Sequence, residues 1–266
     1  MRKVLIYENG VEVVKEIGRV SSSGSVTGCP RGCIDSFSYS ARLRLRLALL
    51  RYFLPGGFRV GVTLTLPWSV SDWSAVMGDF RSVMHRFRVY WLRRFKDCGA
   101  IFRVELQRRG APHLHMVAWH RKGTLNLSEQ YFALWYDSLL RDLRGGSYSD
   151  FARYGVKVDT LPNVIASIRY LCDHASKSKQ AQLGYRGKQW GILGKASLRV
   201  STGEPFSLSD RQFVLLGRWL RRLTRFRVTS DCVFGSRLSK PRRTTRVVYI
   251  SDYSVHRLLS VLLHIS

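Results

Sequence analysis

Two stretches of strict alternation lie back to back in the middle of this chain, and together they dictate a sheet. Over residues 101–107, Phe102, Val104 and Leu106 fall on one side, while Arg103, Glu105 and Gln107 fall on the other. Over residues 113–119, Leu114, Met116 and Ala118 alternate with a set that begins His113, His115. Successive side chains of an extended chain point to opposite faces, so each run is a half-buried strand. A Gly110-Ala111-Pro112 turn separates the runs and makes them antiparallel neighbours. The pair therefore presents one apolar face and one equipped with chemistry. Two imidazoles on one face of a strand are half of a divalent metal site. Glu105, on the preceding strand, offers a carboxylate to the same face.

The rest of the chain alternates between strand and helix signals. Residues 3–17 read as a hairpin around Glu8-Asn9-Gly10. Residues 38–53 are ambiguous: Arg42-Leu43-Arg44-Leu45-Arg46-Leu47 alternates like a strand, but flanking serines and missing β-branched residues favour a basic helix. Residues 60–66 read as a strand stopped by Pro67, with Thr63 and Thr65 opposite Val60, Val62, Leu64 and Leu66. Ser71 or Asp72 can cap the next helix. Its stripe of Trp73, Val76, Met77, Phe80, Val83, Met84, Phe87, Trp91 and Phe95 fits a period of about 3.6 and is read as core. Further helices are expected from Ser128 to about residue 143 and after Pro162-Asn163, with a short strand at 156–158. On that last helix Tyr170, His174 and Lys177 fall together on the polar face, opposite a stripe that includes Ile168 and Leu171. Paired strands with amphipathic helices make an α+β chain; the pattern alone does not fix the strand order.

Charge narrows the partners. The 266 residues carry 44 Lys+Arg against 18 Asp+Glu, a formal net charge of +26. Such an excess predicts a polyanionic partner, of which nucleic-acid backbone is the usual one. A ribosomal or merely cationic protein and a membrane-surface protein are the other readings. A spanning helix is not expected, since no apolar run approaches ~18 residues. Met1-Arg2-Lys3 opens onto the hairpin rather than a long apolar leader. Five scattered cysteines make no disulfide framework, which points to a reducing cytoplasm. Cys29 and Cys33 are read as loop thiols rather than half of a zinc site. The expected organisation is an amino-terminal hairpin and loop (1–37), a central domain (38–200) and a basic, helical carboxy-terminal appendage (201–266). The appendage has 12 Lys+Arg against 4 Asp+Glu and opens with a capping-box pattern at Ser209-Asp210-Arg211-Gln212.

A lone His-x-His is weak, but its rival sites fail position by position. A histidine-triad hydrolase wants histidine where Val117 stands, and a metallo-β-lactamase-like site wants Asp and His where Val117 and Ala118 stand. Two-histidine phosphoesterases need two His-x-Thr/Ser motifs, which this chain does not have. A metal site, a tyrosine on a polar helix face and a very basic chain together suggest breaking and rejoining of DNA strands.

The order of motifs then resembles the HUH endonuclease superfamily, and within it the replication initiators of small single-stranded DNA phages and rolling-circle plasmids. Val62-Thr63-Leu64-Thr65-Leu66-Pro67 is similar to their first motif. Glu105 with Arg109-Gly110-Ala111-Pro112-His113-Leu114-His115 is similar to the metal-binding second motif. Ile168-Arg169-Tyr170-Leu171-Cys172-Asp173-His174-Ala175-Ser176-Lys177 is similar to the third, and Gln189-Trp190-Gly191-Ile192 to a segment that follows it in phage members. The similarity spans roughly residues 38–195. It implies an α+β fold with a central antiparallel sheet and helices packed on it, a rolling-circle initiator, and a metal-dependent endonuclease that forms a covalent protein–DNA link. His113, His115 and Glu105 would hold Mg2+ or Mn2+, Tyr170 would be the nucleophile, Lys177 would face the phosphate, and His174 would shuttle a proton or orient Tyr170.

Phage relatives often place a lysine and a second tyrosine where this chain has Asp173 and His174. Tyr170 is then the one nucleophile candidate within the motif, with Tyr185 the other tyrosine to hand. The implied partners are single-stranded DNA at a replication origin and a host helicase and polymerase, in a bacterial cytoplasm and without a membrane. Trp119 is read either as a base-stacking platform or as core. A single-tyrosine transposase and a non-catalytic single-strand-binding protein on the same scaffold are the alternative functions.

Overall fold

The structure, a computed structural model, describes residues 2–7, 10–15, 39–66, 73–107, 112–121, 124–139, 154–162, 166–167, 170–171, 188–216, 218 and 245–249. The elements in chain order are β1 (Arg2–Tyr7), β2 (Gly10–Lys15), α1 (Tyr39–Arg51), β3 (Tyr52–Phe53), β4 (Phe58–Thr65), α2 (Trp73–Arg94), β5 (Gly99–Leu106), β6 (Pro112–His120), α3 (Leu127–Leu139), β7 (Val156–Leu161), β8 (Trp190–Leu193), β9 (Arg199–Val200), β10 (Glu204–Leu208) and β11 (Thr245–Tyr249). The ambiguous basic segment is thus helical in α1, where missing β-branched side chains outweigh the alternation. The chain divides into two compact units, Cys33–Val200 and the two ends Met1–Gly32 with Ser201–Ser266. Among the described residues no helix is long and apolar enough to cross a membrane.

The larger unit is α+β, as the sequence implies. Its sheet has the order β7-β4-β6-β5-β8 and is antiparallel throughout. The even-numbered residues Val60, Val62 and Leu64 of β4, Ala100, Phe102 and Val104 of β5, and Leu114, Met116 and Ala118 of β6 form one face. That face packs against Phe80, Val83, Phe87 and Trp91 of α2, with Phe95 just beyond it, and against Tyr131, Leu134, Trp135 and Leu139 of α3. Trp135 meets Phe80 and Phe87 edge-on, at 6.4 and 5.7 Å between ring centroids, a favoured arrangement for aromatic pairs. The stripe on α2 is therefore core from Phe80 onward; the side chains of Trp73, Val76 and Met77 lie outside the described residues. Strand β8 was not visible as a strand in the sequence. Gly191 lets it lie beside β5, since a Cβ there would meet the Phe102 ring at 2.8 Å.

The smaller unit joins sequence segments from both ends of the chain. Its sheet has the order β10-β1-β2-β11, so the amino-terminal hairpin lies between two carboxy-terminal strands. The region 201–266 contributes strands where a helical appendage was expected, because β1 and β2 offer it edges to complete. One expected helix start is present: Ser209 N donates to Gln212 Oε1 at 2.9 Å and Gln212 N to Ser209 Oγ at 3.2 Å. Residues 210–216 are helical behind this reciprocal cap. Cys29 and Cys33 lie outside the described residues.

Candidate metal and tyrosine site

The opposite face of the larger sheet carries the chemistry in rows across its strands. Strand register places Thr65 of β4 beside His113 of β6, and His113 beside Glu105 of β5. The next row runs Lys157, Thr63, His115, Arg103, Trp190, and the one after it Asp159, Gly61, Val117, Ile101, Ile192. This face is not polar throughout, since Ile101, Val117 and Trp119 are buried on it. Trp119 is only 2% exposed, which settles its two readings in favour of core.

Glu105, His113 and His115 form a cluster whose donor atoms all lie within 4.8 Å of one another. The imidazole rings are 4.5 Å apart between centroids. Glu105 is buried at 4% exposure between two groups that orient it. Its Oε2 lies 3.9 Å from Arg103 NH1, and its Oε1 lies 3.4 Å from His115 Nε2. A buried carboxylate is costly unless a cation compensates it, and Arg103, itself 2% exposed, is that cation. Arg103 takes one oxygen and leaves the other aimed at the histidines.

The donor set fits a divalent ion. Two ligands bound at about 2.1 Å sit roughly 3 Å apart in the shell, close to the 3.4 Å between His115 Nε2 and Glu105 Oε1. The far nitrogen of His115 is held as a ligating imidazole requires, with Nδ1 3.2 Å from Thr63 Oγ1. His113 has Thr65 Oγ1 at 2.7 Å from Nε2 and Gln107 Nε2 at 3.3 Å from Nδ1. One of those two contacts gives way when this ring ligates.

Tyr170 lies beside the cluster. Its hydroxyl is 2.5 Å from Thr63 Oγ1, and its ring meets the His115 ring edge-on at 5.9 Å. Helical periodicity put Tyr170 on a polar face and so in reach of solvent. The structure instead lays its ring against the sheet, where Thr63 and Gly61 receive it. Burial pushes its phenol up to about 12, with the Asp159 carboxylate adding to the rise and the Thr63 hydrogen bond opposing it. The structure therefore brings together Glu105, His113, His115 and Tyr170; His174 and Lys177 lie outside the described residues. Gly61, Thr63, Thr65 and Arg103 carried no site role in the sequence reading, although alternation already put Thr63, Thr65 and Arg103 on the polar faces of their strands.

Residues 59–179 match the family of the replication-associated protein ORF2. The matched stretch contains every residue of the cluster, Tyr170, His174 and Lys177. It supports a replication initiator that acts on DNA at an origin. No curated protein and no solved structure matches the chain.

Proposed function

We propose that this chain is a rolling-circle replication initiator of the HUH type, which nicks single-stranded DNA at an origin by tyrosine transesterification. The observation that carries the reading is the juxtaposition of a phenol and a metal-donor triad on one sheet face, linked through Thr63. The replication-associated family match over the same residues supports it.

Glu105, His113 and His115 hold Mg2+ or Mn2+, which when bound polarises a scissile phosphate and offsets the charge that grows on it. The Tyr170 oxygen attacks phosphorus. One P–O bond forms to the phenol oxygen, and the bond to the 3′-oxygen of the upstream nucleotide breaks. The phenol proton ends on that oxygen, so the products are a 5′-phosphotyrosine and a free 3′-hydroxyl that a host polymerase extends. With its pKa near 12, Tyr170 is protonated at neutral pH, so the proton leaves during attack. His174, one turn along the same helix, is the carrier, and Lys177 faces the phosphate. An aryl oxygen also leaves more readily than an alkyl one, which keeps strand rejoining accessible.

The test is a cleavage assay on single-stranded circular DNA of the parent replicon with Mn2+, comparing the intact protein with Tyr170→Phe. A covalent protein–DNA adduct from the intact protein alone is the expected result. An adduct from both moves the nucleophile to another tyrosine. No adduct from either, with DNA binding retained, makes the protein a non-catalytic single-strand binder.

A further inference from the structure

Gly61 is an odd residue to find in the middle of a sheet. It lies in β4 with neighbours on both sides, Val117 of β6 and Asp159 of β7. Glycine weakens a strand interior and there often marks a close approach by another group. Its backbone does not call for glycine, because it is not among the described glycines with positive φ. The space above it does. A Cβ at Gly61 would meet Cε2 and Cζ of Tyr170 at 2.9 Å and Cδ2 at 3.1 Å, contacts that side chains essentially do not make. The tyrosine ring occupies the volume that any side chain at position 61 would need.

Two residues further along the same face, Thr63 Oγ1 meets the phenol oxygen at 2.5 Å and His115 Nδ1 at 3.2 Å. The ring and the hydroxyl of Tyr170 are thus met by successive residues on one face of one strand. Strand spacing of about 6.6 Å between such residues matches the span from the middle of a phenol ring to just beyond its oxygen. A strand is also more rigid than the helix segment that bears the tyrosine, so β4 can fix the oxygen's position relative to the donors on β5 and β6.

We infer that Gly61 and Thr63 are positioning residues that form a seat for Tyr170: Gly61 bears the ring, and Thr63 latches the hydroxyl beside the Glu105, His113 and His115 cluster. The inference rests on Tyr170 being the nucleophile. In the rejoining direction the phenol oxygen leaves without a proton, so Thr63 is then the donor to it, and the latch works both ways. Misplacing a reacting atom by an ångström costs about 100-fold in rate, which sets the scale for losing either part of the seat.

The experiment uses the full chain with Gly61→Ala, Thr63→Val and Thr63→Ser. Hydroxyl-radical footprinting with mass spectrometry reads the protection of Tyr170 without requiring any activity. Adduct kinetics on single-stranded DNA with Mn2+ read the consequence. Thr63→Val, of nearly equal volume, is expected to raise Tyr170 labelling several-fold and to slow adduct formation about 100-fold at unchanged KM for DNA. Thr63→Ser is expected to restore both readouts, and Gly61→Ala to behave like Thr63→Val. Unchanged Tyr170 labelling in both Gly61→Ala and Thr63→Val overturns the seat whatever the activity. Equal loss in Thr63→Ser and Thr63→Val overturns the latch. Absence of an adduct from the unmodified protein, with labelling raised in both variants, supports the seat and removes the nicking reading alone.

Discussion

Acid should loosen the unit Cys33–Val200 through one residue, His120. It ends β6 on the core face, is fully buried, and lies 4.8 Å from the Phe95 ring and 5.7 Å from the Tyr131 ring. Burial pulls its pKa down to about 4. Its Nε2 is 2.9 Å from the Tyr131 hydroxyl, to which Trp91 Nε1 also donates at 3.4 Å. Burial drives the Tyr131 phenol far above its ordinary value, so it keeps its proton and donates to His120 Nε2. Protonating the imidazole would turn that acceptor into a second donor. In the unfolded chain the group titrates near ~6.5. The folded state therefore binds fewer protons between pH 6.5 and 4, and stability there rises with pH. His120's contribution is whole above about pH 6.5 and is lost as pH falls through that window toward the folded value near 4. A drop of about 2.5 units at ~1.36 kcal/mol each is roughly 3 kcal/mol. The assay is urea unfolding from pH 8 to pH 4, followed by tryptophan fluorescence, because six of the seven tryptophans lie in this unit. His120→Gln keeps an acceptor for Tyr131 and cannot titrate. It should be weaker than the unmodified protein at pH 8, and the gap should close by about 3 kcal/mol by pH 4. Parallel stability curves for the two proteins would refute the reasoning.

Glu105→Ala removes the anion of the donor cluster. Its Mn2+ affinity by calorimetry should fall by more than the tenfold to hundredfold typical of an outer partner, and unchanged affinity would remove Glu105 from the site. Gly191→Ala drives a Cβ to 2.8 Å from the Phe102 ring; overpacking of this kind costs about 1–3 kcal/mol, to be read as a lower Tm. Ser209→Ala deletes half of the reciprocal cap, at a cost of about 1 kcal/mol. Hydrogen exchange should then quicken in residues 210–216, while that of β4, β5 and β6 stays the same.

Local pattern was enough to read the two faces of β5 and β6, because alternation over seven residues leaves little choice of side. It also placed Glu105, His113 and His115 together, since a short turn brings Glu105 back beside His113. What it could not reach was pairing between distant segments. The register that sets Thr63 against His115 joins β4 to β6 across the whole of α2, and nothing within either strand specifies it. The sheet that unites β1 with β10 depends on edges that are complete only once the chain has folded. Tyr170 shows a different gap. Its helical face was read correctly as the one carrying His174 and Lys177, but a polar helix face was equated with a solvent face. Here the tyrosine faces another polar surface, the site side of the sheet. Gly61 looked like an unremarkable small residue because its reason lies in the ring of a residue far along the chain.

Register has a further consequence, which is one of parity. Across β4, β5, β6 and β7 the odd-numbered residues carry the site face and the even-numbered residues carry the core. Two interleaved messages are written in one string, one in chemistry and one in packing, and each is legible only in phase with the other. Losing a residue from the connection at 108–111 leaves both strands in phase. Losing Leu114 would shift every later position of β6 by one, or every earlier one, sending an imidazole toward the core and a methionine or proline toward the phosphate. Changes of spelling within either message are survivable one at a time, whereas a change of phase erases both.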